Sequence, residues 1–242
     1  IVGAAFPTAL GEVLAGILPL IYFARKNSSK LKLCKPSWEF KSLIRICTNG
    51  SSELMSNISM SLVGMLYNAQ LMKYAGENGI SAYGTIMYVN FIFLAVFIGY
   101  STGIAPITSY HYGAGNKKEL NNILKRSSVI IGIVAIAMFG ISEFLANPLA
   151  SAFVGYDKEL LTMTTHAFRI YGITFLFSGI SIFGSAFFTA LNDGLTSATI
   201  AFLRTLLFQC SSVLIMPIFF GLNGIWFSII VAESMSVIVT IT

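Results

Sequence analysis

The chain has 242 residues, of which 55% are hydrophobic and 10% charged. Soluble domains carry about 25% charged residues, so this deficit, with a mean hydropathy of +0.78, excludes an ordinary soluble enzyme and makes the bilayer the solvent. The net charge of +5 does not point to nucleic acid: seven of the fifteen Lys and Arg fall between Arg25 and Arg45, and four more between Lys117 and Arg126. Short basic loops between spans mark a cytoplasmic face.

The first apolar segment, 1–23, opens without a methionine and without a signal-peptide pattern before it, so the chain reads as part of a longer protein. A basic loop follows over 25–41, with Trp38 and Phe40 as interfacial anchors. The second span, 43–72, is the most polar. A connector at 73–79 leads to a third span over 80–107. A loop at 109–126 precedes the fourth span, 127–145, which is expected to end near Asn147 and Pro148. A polar stretch over 146–166 leads to the fifth span, 168–191. Asn192, Asp193 and Gly194 make a turn into the sixth span, 196–220, and a tight turn at 221–224 opens the seventh. The loops at 24–42, 109–126 and 192–195 hold nearly all the loop Lys and Arg, which assigns them to the cytoplasm and the alternate set to the outside. Continuously apolar segments of this length exclude barrel strands, and only helices satisfy the backbone of such spans in lipid. The expected class is all-α: a polytopic membrane helix bundle of six helices with one helix before it.

Most of the acids fall in loops or at span ends; Glu12, Glu53 and Glu233 are deep. Glu53 lies ten residues inside its span, close to mid-depth at about 1.5 Å per residue. Asn49, Asn57 and Ser61 share its face at steps of four, continued by Gly64 and Asn68. An ionisable group in a span marks an ion or substrate pathway by default. Desolvation favours the neutral carboxyl and a nearby cation the ionised one, the antagonism an antiporter requires. The alternative for this stripe is a helix contact in which Asn side chains satisfy a protonated Glu.

Tyr83, Tyr88 and Asn90 of the third span are candidates for the same cavity. The fifth span carries Thr174, Ser178, Ser181, Ser185 and Thr189 on one face. Small hydroxyls at this spacing indicate close helix packing, with a cavity wall including Ser178 and Ser181 as the other reading. Glu233 is a candidate second acid or a hydrogen-bonding group near Trp226. Arg169 and Arg204 read as snorkelling cations, with a salt bridge from Arg204 to a loop acid as the functional alternative.

Cys34, Cys47 and Cys210 show no disulfide or metal spacing, and His111 and His166 have no metal-type partner, so no metal site is expected. The Gly113–Asn116 stretch fits neither nucleotide-loop pattern. The sequon at Asn27 falls on the cytoplasmic side. No paired catalytic groups at depth are visible, so the chain is not expected to be an enzyme. An intramembrane enzyme, a structural subunit and a lipid-linked precursor flippase are the alternatives; the flippase calls for a cationic cavity, whereas the deep residues here are acidic.

Three stretches carry a family resemblance. Ser101-Thr102-Gly103-Ile104-Ala105-Pro106 with Ser109-Tyr110-His111-Tyr112-Gly113-Ala114-Gly115-Asn116 resembles the loop after the eighth helix of the MATE (multidrug and toxic compound extrusion) transporters, His111 standing for the usual Asn. Met216-Pro217, Phe220 to Trp226 and Val231-Ala232-Glu233 are similar to the last two helices, and Asn49-Gly50-Ser51-Ser52-Glu53 to the seventh helix of the MepA-like branch. The resemblance implies two six-helix lobes, with 1–23 as the last helix of the N-terminal lobe, 24–42 as the cytoplasmic inter-lobe loop and 43–242 as the C-terminal lobe. It implies export of cationic amphipathic drugs across a bacterial plasma membrane, coupled to H⁺ or Na⁺ entry, with no other cofactor. The expected partners are those drugs, membrane lipid and the N-terminal lobe. Glu53 matches the coupling acid of the seventh helix. The acid that some members carry in the tenth helix has no counterpart, which favours a proton over Na⁺ held by a carboxylate pair.

Overall fold

A computed structural model describes residues 2–25, 35 and 38–242. The basic residues Lys26, Lys30 and Lys32, with Asn27 and Cys34, lie outside the described residues. The chain divides into two units, 1–43 and 44–242. In the first, helix α1 (Val2–Ala24) contains Pro7 and Pro19 and is apolar on nearly every side.

Helix α2 (Phe40–Gly113) supplies the second and third expected spans as one broken element. Gly76 breaks it at φ 60°, ψ −149°, a conformation that side-chain-bearing residues adopt only under strain. The rings of Tyr67 and Tyr83 stack at 5.2 Å between centroids. On a straight helix they would be about 24 Å apart, so the arms 40–75 and 77–113 fold back into an antiparallel hairpin.

Helix α3 (Lys117–Val154) follows a three-residue turn. Gly115 takes φ 68° there, and Asn116 caps the helix by accepting from the Glu119 amide at 3.2 Å. Helix α4 (Lys158–Gly172) is capped by Asp157, which accepts from the amides of Glu159 (2.9 Å) and Leu160 (3.2 Å). Helix α5 (Phe175–Ala190) bends away from α4 by 50°. Helix α6 (Gly194–Ala201), capped by Asp193, runs into a π-helical segment, Phe202–Phe208, and then into α7 (Gln209–Ile241). Gly221, at φ 57° and ψ −135°, reverses α7 as Gly76 reverses α2.

Among the described residues there is no strand, and the 44–242 unit is a helical bundle of six arms or arm pairs whose long helices are apolar enough to cross a membrane. The bundle expected from the sequence is present, but its connections are shorter. The loop expected over 109–126 shrinks to 114–116, and that over 146–166 to 155–157. Pro148 lies inside α3 rather than ending it. Polar residues at these helix ends face the aqueous layers and serve as caps, so polarity here does not interrupt the helix.

The core is built from the inward faces of these arms. Tyr67, Leu71, Ile86, Phe97, Phe175 and Trp226 are all at most 2% exposed. Phe93 stacks on Phe175 with centroids 4.8 Å apart. Gly179 permits the close approach beside them, since a Cβ there would lie 2.6 Å from the Phe97 ring. That is the tight packing the small-residue face of α5 predicts.

Gly76→Ala is expected to cost on the order of 1–3 kcal/mol, the strain of a side chain in that backbone region. Gly99→Ala, in open space on the same helix, is expected to cost nothing. Thermal unfolding of the full-length protein in detergent checks the contrast.

Candidate functional site

Three sides of the first arm of α2 differ in character. Ser59, Val63, Tyr67 and Leu71, four residues apart, turn inward and are buried. One flank of the remaining surface is apolar, with Leu54, Ile58, Leu62 and Met65 exposed. The other flank carries Glu53, Asn57, Ser61 and Asn68, also exposed. A uniformly lipid-facing surface would not be divided this way, because polar groups in contact with hydrocarbon carry a desolvation cost.

The polar flank satisfies itself locally. Asn57 Nδ2 donates to the Glu53 carbonyl at 2.8 Å, and Ser61 Oγ to the Asn57 carbonyl at 3.4 Å. The Glu53 carboxylate has no hydrogen-bond or ion-pair partner among the described residues. Asn49 is half-buried at the start of the stripe, and its Oδ1 has no partner.

The other candidates do not join this flank. Asn90 is 6% exposed, with Oδ1 unpartnered inside the bundle. Tyr88, two residues earlier and therefore on nearly the opposite side of the helix, is exposed and stacks on Phe153 at 6.4 Å. Tyr83 packs on Tyr67. Ser178 is buried and donates to the Thr174 carbonyl at 2.9 Å, while the buried Ser181 hydroxyl has no partner. Farther along α5, Ser185 and Thr189 bond Ser197 of α6 at 2.9 and 2.7 Å. The hydroxyl face of α5 therefore acts largely as helix-to-helix adhesion, with Asn90, Ser178 and Ser181 in the interior.

The strongest electrostatic contact is one that spacing alone did not pair. Arg204, in the π-helical segment, bonds Glu233 through Nε at 3.1 Å to both carboxylate oxygens and through Nη2 at 3.0 Å. Gln209 Nε2 adds a bond at 3.4 Å. Glu233 is 3% exposed. The partner of Arg204 is thus a helix acid deep in the bundle, not a loop acid, and Arg204 is not simply snorkelling. Gln209 and Glu233 are each twelve residues from Gly221, so the predicted tight turn already carried the signal for this pairing. On the same last arm, Ser228 Oγ bonds Tyr67 Oη at 2.6 Å, which ties α7 to the first arm of α2. Among the described residues no three His, Cys, Asp or Glu converge as a metal site would need.

Removing one partner of a buried pair leaves the other charge uncompensated, at a cost of about 3–5 kcal/mol. Glu233→Ala and Arg204→Ala are each expected to lower the melting midpoint sharply. The double substitution is expected to cost less than the sum, and a double-mutant cycle in detergent measures the difference.

Comparison with known proteins agrees with this architecture. The chain is similar to the multidrug export protein MepA of Staphylococcus aureus strain MSSA476, with 27% identity over 243 residues, covering 97% of this chain and 51% of the relative. It is also similar to MepA of Staphylococcus saprophyticus, with 28% identity over 245 residues, covering 97% and 51%. The chain thus spans about half the length of the curated relatives it matches. Its fold is similar to that of a MATE crystallised in complex with MaL6, with a TM-score of 0.90 and 21% identity, covering 98% of this chain and 54% of that one. An outward-facing multidrug resistance MATE family transporter of the MOP superfamily gives a TM-score of 0.88 at 20% identity, covering 98% and 54%. The MatE family model matches residues 54–215, about two thirds of the chain, and the chain belongs to that family, the MATE transporters.

Proposed function

We propose that the chain forms one lobe of a cation-coupled multidrug efflux antiporter in a bacterial plasma membrane, with Glu53 as its coupling acid. The observation that carries this reading is the unpartnered carboxylate on the polar flank of α2, with Asn57 and Ser61 on the same face. Relatives named as multidrug export proteins support an export role over an enzymatic one.

The chemistry follows from the carboxyl group. Ionised Glu53 attracts a cationic, amphipathic compound, whose apolar body suits the aliphatic flank formed by Leu54, Ile58, Leu62 and Met65. Protonation removes the attraction and releases the compound. Drug and proton then exclude each other at one group, which is the requirement for exchange. Alternating access by rocking of one lobe against the other would carry the site from one side of the membrane to the other. The second deep acid of this unit, Glu233, is engaged by Arg204 and Gln209, so Glu53 has no carboxylate companion on its face. A lone carboxyl suits a proton better than Na⁺, which takes several oxygen ligands. No cofactor beyond the coupling ion enters this scheme.

Glu53→Gln in the full-length protein keeps the shape and hydrogen-bonding reach but cannot titrate. Expression is expected to be unchanged, and drug efflux driven by a pH gradient in proteoliposomes is expected to vanish. Asn57→Ala is expected to weaken efflux severalfold without abolishing it. Full drug resistance in cells carrying only the Glu53→Gln protein would overturn the assignment, and efflux driven by a Na⁺ gradient at constant pH would replace the proton with Na⁺.

A further inference from the structure

The end of the bundle carrying the 155–157 and 221 turns, outward by the charge rule, holds a cavity that the antiport scheme does not use. It measures about 370 Å³ and is lined by Asn147, Leu161, Thr162, Thr165, His166 and Arg169. Its polar lining is rich in donors. Arg169 is exposed and makes no hydrogen bond or ion pair among the described residues, so its guanidinium fork is available. Thr165 Oγ1 is buried without a partner. The Asn147 amide contributes two more donors. His166 is anchored across the turn, its Nε2 donating to Oδ1 of Asn223 at 3.2 Å. Thr162 is occupied, donating to the Lys158 carbonyl at 2.8 Å.

No acid lines the cavity. Asp157 is committed to capping α4, and Glu143 lies beside Gly172, one turn past Arg169. An unpaired guanidinium with an exposed amide, and no carboxylate in the lining, selects an oxyanion. A tetrahedral one accepts the Arg fork on two oxygens and offers another to the amide. The cavity sits on the polar side of α4, where Thr162, Thr165, His166 and Arg169 recur at steps of three and one around the helix. Leu160, Ala167, Phe168 and Ile170 bury the other side. A short amphipathic helix bent from the helix that follows it suits the depth of lipid headgroups.

We propose that this pocket binds a phosphate group, held by Arg169 with Asn147 in support. The group comes either as the headgroup phosphate of an anionic phospholipid or as free phosphate. Occupancy joins α3, through Asn147, to α4, and through His166 and Asn223 to the reversal at Gly221. Bound phosphate therefore stabilises the outer end of the bundle.

The test uses the full-length protein in a neutral detergent free of phosphate. Its melting midpoint is followed while inorganic phosphate, short-chain phosphatidylglycerol or short-chain phosphatidylcholine is added. The wild-type protein is expected to be stabilised, and Arg169→Gln is expected to need about tenfold more ligand for the same shift, the loss of a charge-assisted contact. Asn147→Ala is expected to move in the same direction by less. If Arg169→Gln does not fold, Arg169→Lys, which keeps the charge and loses the fork, is expected to show an intermediate response. Stabilisation by phosphatidylglycerol beyond phosphatidylcholine, without a response to phosphate, assigns the headgroup; a response to phosphate alone assigns the free anion. No stabilisation by either, an equal response in Arg169→Gln, or an equal loss on Lys73→Gln at another exposed cation overturns the proposal.

Discussion

The contact between Arg204 and Glu233 pairs a part-buried guanidinium with a buried carboxylate, and the packing of the last two arms depends on it, because either charge buried alone carries a large desolvation cost. The two residues sit on opposite arms of one helical run reversed at Gly221. Their bidentate geometry fixes how the last arm is rotated. That rotation turns Trp226 and Ser228 into the core, and Ser228 meets Tyr67 of α2. Tyr67 is thereby held inward, whereas Glu53, nearer the start of the same arm, is exposed.

The π-helical segment is part of the same arrangement. A wider helical turn shifts the side-chain phase relative to an α-helix, and such segments recur at functional positions. Here it occurs where Arg204 must reach across to Glu233, so the irregularity lies in the element that carries the only cation of this buried contact. Pro217 weakens the backbone ladder of the same arm shortly before its reversal. The distortions of this run are concentrated in its first arm, and the arm bearing Glu233 is regular after Gly221.

What could be read in advance depended on whether the signal was local. Segment length and apolarity revealed the spans, and the connector at 73–79 and the tight turn at 221–224 marked where the chain turns back, because both are properties of a few neighbouring residues. The loops were overestimated since Lys117 to Arg126 and Asn147 to Val154 look like connector in composition. In a helix that outruns the hydrocarbon, charged residues simply continue the ladder into water. The polar stripe at Glu53 was legible as a stripe, and its outward direction was not. Period tells which residues share a face; only contacts such as Tyr67 with Ser228 tell where that face points. Ser178 and Ser181 illustrate the same gap, being correctly grouped on one face of α5 while that face lies within the packing. The partner of Glu233 was missed for a further reason: it needed the register of a hairpin, although the distances of Gln209 and Glu233 from Gly221 contained it.

The connections between spans of the 44–242 unit are all very short: single glycines at 76 and 221, and three residues at 114–116, 155–157 and 191–193. Such a framework has no slack. An opening at one end cannot be made by a loop swinging aside, because no loop is long enough to swing. Whatever movement this unit makes has to be borne by whole rods tilting together, as a lever does, with give only where a proline or the widened turn interrupts the ladder.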